Sequence, residues 1–83
     1  MSARDTMGIA DALERAIDRL NADASISERE ARVALAIAVS LRRSDLRRRG
    51  PHGEALVYAL TGALPRAASP NAAAILQEAI DEL

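Results

Sequence analysis

The chain has 83 residues, which is one small domain, and it contains no Cys, so neither a disulfide nor a thiolate metal site can supplement its core. Eleven basic residues, all Arg, stand against twelve acidic ones for a formal net charge of −1, a balance that weighs against strong general nucleic-acid binding. Nearly one residue in four is Ala, and strand-favouring side chains are scarce, so composition points to helix.

The first predicted helix runs from about residue 7 to residue 20. Ile9, Leu13, Ala16, Ile17 and Leu20 fall on one stripe at helical spacing. Asp5 or Thr6 is placed to cap it. Asp11, Glu14, Arg15, Asp18 and Arg19 take the other faces.

Ser27 followed by Glu30 forms a capping box, and it marks the start of the second helix. Ile26 stands before the cap, where it can staple to the first turn. From residue 31 to residue 41 only Arg32 and Ser40 are polar. A helix apolar nearly all round must be covered by its neighbours or by a partner chain, so the spacing predicts a central second helix. The helical pattern continues to Arg49. Gly50 then suits a left-handed C-cap, and Pro51 forbids continuation.

The third helix is predicted from about His52 to Leu64, with Leu56, Val57, Leu60 and Leu64 as its stripe and Pro65 as its stop. Ser69-Pro70 opens the fourth, with Ser as cap and Pro at the first helical position. Ile75, Leu76, Ala79, Ile80 and Leu83 share one of its faces. The sum is an all-α single domain over residues 1–83: a compact bundle of about four helices around the second. Large apolar side chains are few, so close Ala packing has to do much of the work. A homodimer is expected, joined through whichever apolar stripe the second helix leaves uncovered.

Residues 19–30 resemble an EF-hand loop. Asn21, Asp23, Ser25, Ile26 and Glu30 stand at matching offsets between two helices. Arg19 stands where that loop begins with Asp, and Ala24 where it needs Gly. The resemblance therefore implies a metal-free, capped interhelical turn.

The strongest charged feature is Arg42, Arg43, Arg47, Arg48 and Arg49, with His52 nearby. Such a cluster can dock an acidic protein surface by bidentate pairing, contact phosphates, or pair with the acidic first and fourth helices. The turn at Gly50 fits a helix-turn-helix. Its reading helix, however, would begin His52-Gly53-Glu54-Ala55 and lacks side chains suited to base edges. His52 is the only His, so no His cluster can bind zinc. No phosphate loop, nucleophile elbow or Cys–His pair is present. These observations predict no enzyme activity and no cofactor.

No apolar run approaches the ~20 residues of a membrane span, and the N-terminus has no apolar h-region. Heavy Ala with Arg in place of Lys suits a GC-rich bacterial genome, and a cytoplasmic location is expected. The function expected is a small interaction protein, an adaptor, inhibitor or antiactivator, that occludes an acidic partner through the Arg cluster. A dimeric DNA-binding regulator using the same cluster is the first alternative. A structural or assembly subunit of a phage or plasmid system is the second.

Overall fold

The computed structural model describes the backbone of residues 2–22, 24–43 and 51–83, and the side chains of residues 11–22, 24–43 and 53–83. Within them lie α1 (Ser2–Asn21), α2 (Glu28–Arg43), α3 (Pro51–Ala63), a short 3-10 turn (Leu64–Arg66) and α4 (Pro70–Glu82). The fold is an all-α globule of four helices, as composition and periodicity predict. No helix is long and apolar enough to cross a membrane among the described residues.

The caps form as the sequence requires. The Ser27 hydroxyl accepts from the Glu30 amide at 3.1 Å, and the Glu30 carboxylate accepts from the Ser27 amide at 3.0 Å. Ser69 caps α4 by accepting from the Ala72 amide at 3.1 Å, with Pro70 in the first turn. The start of α1 differs from expectation. The helix begins at Ser2, so Asp5 and Thr6 lie inside it and not at its cap. Residues 2–6 carry no apolar stripe to signal a helix, yet extending an existing helix needs no new nucleus.

The helices form a ring. α1 packs on α3, α3 on α4, and α4 most extensively on α2, while α2 and α1 meet only lightly. The core contains Leu13, Leu20, Leu41, Leu56, Leu60, Leu76 and Ile26, together with seven Ala. Those Ala lie on α2, α3 and α4: Ala31, Ala34 and Ala38 on the first, Ala59 and Ala63 on the second, Ala72 and Ala79 on the third. A methyl side chain lets helix axes approach closely, so α2 and α4 bury much surface with little side-chain volume.

The second helix does not take the central position that its apolar pattern predicts. α2 is one side of the ring, covered by α4 on one face and left open on another. Val33 is 52% exposed, and Ala36 is also exposed. Its apolar surface exceeds what two neighbours can cover, whereas α3 and α4 each enclose a stripe fully. Leu56, Ala59, Leu60 and Ala63 all have no measurable exposure.

Candidate functional site

The connection between α1 and α2 decides how the two helices face each other. Ile26 is fully buried in its middle. Its amide donates to the Arg66 carbonyl at 2.9 Å, and its carbonyl accepts from the Ala68 amide at 2.8 Å. This parallel bridge ties the connection to the segment before α4. The Arg66 guanidinium then donates to three backbone carbonyls, those of Leu20, Ala22 and Ala24. Leu20 lies in the last turn of α1 and Ala22 just beyond it, where carbonyls lack a helical partner. A planar five-donor fork is suited to gathering them.

This arrangement bears on the loop resemblance. The carbonyl cluster at the loop is served by an internal cation, the guanidinium of Arg66. The residue at the first loop position, Arg19, pairs with Glu30 at the last. Arg19 and Arg66 thus clamp the connection to α2 and to the segment before α4. Glu30 is held below the ordinary carboxylate range, first by the Ser27 amide and then by Arg19.

An open groove of about 360 Å³ runs between α1 and α2. Ala12, Ala16 and Leu20 from α1 line one wall, and Val33, Ala34 and Ile37 from α2 line the other. Asp11, Arg15, Arg19, Arg29 and Glu30 stand along its rim. Arg15 pairs with Asp11 at 3.3 Å in an exposed i, i+4 contact, which contributes little. Arg29 is exposed and has no ion pair among the described residues.

The predicted Arg cluster divides. Arg42 donates to Glu82 at 2.8 Å and joins the end of α2 to the end of α4. It therefore acts as a helix-to-helix tie, the pairing with the fourth helix that the charge pattern allows. Arg43 is exposed, with no ion pair among the described residues. Arg47, Arg48 and Arg49 lie outside the described residues, as does the continuation of α2 past Arg43. The groove itself is not evident from the sequence. The signal it offers is the excess of apolar positions on α2, which periodicity assigns to a central position.

No family model, curated protein or solved structure matches the chain.

Proposed function

We propose that this chain is a small bacterial protein-interaction module, an adaptor or inhibitor that holds a partner in the α1–α2 groove and so occludes the surface it binds. The observation that carries this reading is an apolar groove between α1 and α2, two helices that meet only lightly. Apolar walls supply affinity, and charged groups at the mouth supply orientation and association rate. Arg43, with Arg47, Arg48 and Arg49 after it, adds positive charge that steers an acidic partner. Arg42 contributes less, because it is occupied by Glu82.

The test is affinity capture from the native host with the wild-type chain, with an Ala16→Arg/Val33→Arg double variant, and with Arg43→Glu. The double variant is expected to lose the partner while keeping its helical circular dichroism. Arg43→Glu is expected to retain the partner and to slow its association at low salt. Equal capture by the double variant and the wild type would overturn the assignment.

A further inference from the structure

We infer that the occupant of the α1–α2 groove is an acidic amphipathic helix of two to three turns, supplied by another protein. This rests on the protein-binding reading above. The walls are two helices whose backbone groups are bonded internally, so neither wall offers an edge to an extended strand. A strand or loop lying there would bury its own amides and carbonyls without partners. A helix brings its backbone already bonded and presents only side chains.

The lining suits that shape. Ala12 and Ala16, one turn apart on α1, line the groove together with Ala34 of α2. Small walls let a third helix axis come close, and Leu20, Val33 and Ile37 give its side chains apolar contact. The walls span residues 11–20 of α1 and 29–37 of α2, about 12–14 Å at the helical rise. That length matches apolar anchors at i, i+4 and i+7.

Charge selects the sign. Three Arg and two carboxylates line the groove, in a chain whose overall charge is −1. Glu30 is committed to Ser27 and Arg19, whereas Arg29 has no ion pair among the described residues. Carboxylates flanking the incoming helix therefore find a donor.

The experiment pans a displayed library of helical peptides of about 14 residues, randomised in apolar spacing and flanking charge, against the folded chain. Enriched peptides are expected to carry Asp or Glu beside an i, i+4, i+7 apolar stripe. A titration of the best one is expected to move the amide resonances of Ala12, Ala16, Ala34 and Ile37. Replacing its carboxylates by Lys is expected to weaken it about tenfold, and Arg29→Glu to reverse that order. Basic or charge-indifferent winners, no enrichment, or shifts confined to α3 would overturn the inference. So would light scattering that finds a dimer which Val33→Arg converts to monomer, because a second copy would then fill the groove. Failed peptides with groove-dependent partner capture intact would overturn the helical, acidic occupant alone. Loss of both would remove the protein-binding reading as well.

Discussion

The α2–α4 and α2–α1 pairs use the same small side chain to opposite ends. Along the α2–α4 pair, Ala31, Ala38, Ala72 and Ala79 are buried, and the helices pack extensively. Between α2 and α1, Ala12, Ala16 and Ala34 line an open groove. Alanine permits close approach without causing it. At the closed pair, Leu41 and Leu76 add buried apolar area, and the Arg42–Glu82 tie joins the ends. At the open pair, the connection is bound to the Arg66 segment, and the helices touch only lightly.

The contrast breaks most readily in the core. Leu76→Ala removes a fully buried side chain that faces the closed pair and is expected to cost about 2–5 kcal/mol. In a domain this small that is a large part of total stability, and a urea melt would show it as a fall in midpoint. A small effect would mean that the α2–α4 interface relaxes to fill the space.

Two insertions sharpen the contrast directly. Ala38→Leu overfills the closed pair and is expected to destabilise by about 1–3 kcal/mol. Ala16→Leu enters the open groove and is expected to stay within about 0.5 kcal/mol of wild type. Equal costs, measured by the same melts, would mean that the groove closes in solution.

The clamp comes next. Arg66→Met strips the donors from the Leu20, Ala22 and Ala24 carbonyls and is expected to cost about 2 kcal/mol, softened because the site is only part-buried. Hydrogen exchange is expected to quicken at the Ile26 and Ala68 amides while the α2–α4 amides hold. Unchanged exchange at Ile26 would show that the bridge stands without the guanidinium.

The smallest effects belong to the cap of α2. Ser27→Ala is expected to cost about 1 kcal/mol in thermal or urea melts. Glu30 has a folded pKa below its ordinary 4.5, so the stability it gives is present above that value and is lost as pH falls through the folded pKa. Glu30→Gln keeps a capping acceptor and removes the charge. It is expected to flatten the loss of stability below about pH 4.5, and an unchanged acid limb would contradict the Ser27 and Arg19 contacts.

Much of the fold is legible in the order of the residues. The capping box at Ser27 and Glu30, the Ser69-Pro70 start, and the stripes through Leu13, Leu20, Leu56, Leu60 and Leu76 all appear where sequence spacing puts them. The start of α1 is not legible, because residues 2–6 carry no apolar signal. Periodicity also misplaces α2 at the centre, because it counts apolar faces without counting neighbours.

Local chemistry therefore determined the helices and the caps, whose hydrogen bonds join residues three or four apart. Tertiary structure alone decided that Arg66 reaches carbonyls 42 to 46 positions away, that Arg42 meets Glu82, and that α1 stands off from α2. Those choices rest on where separate helices lie in space, and side-chain spacing along one helix does not encode the distance to another.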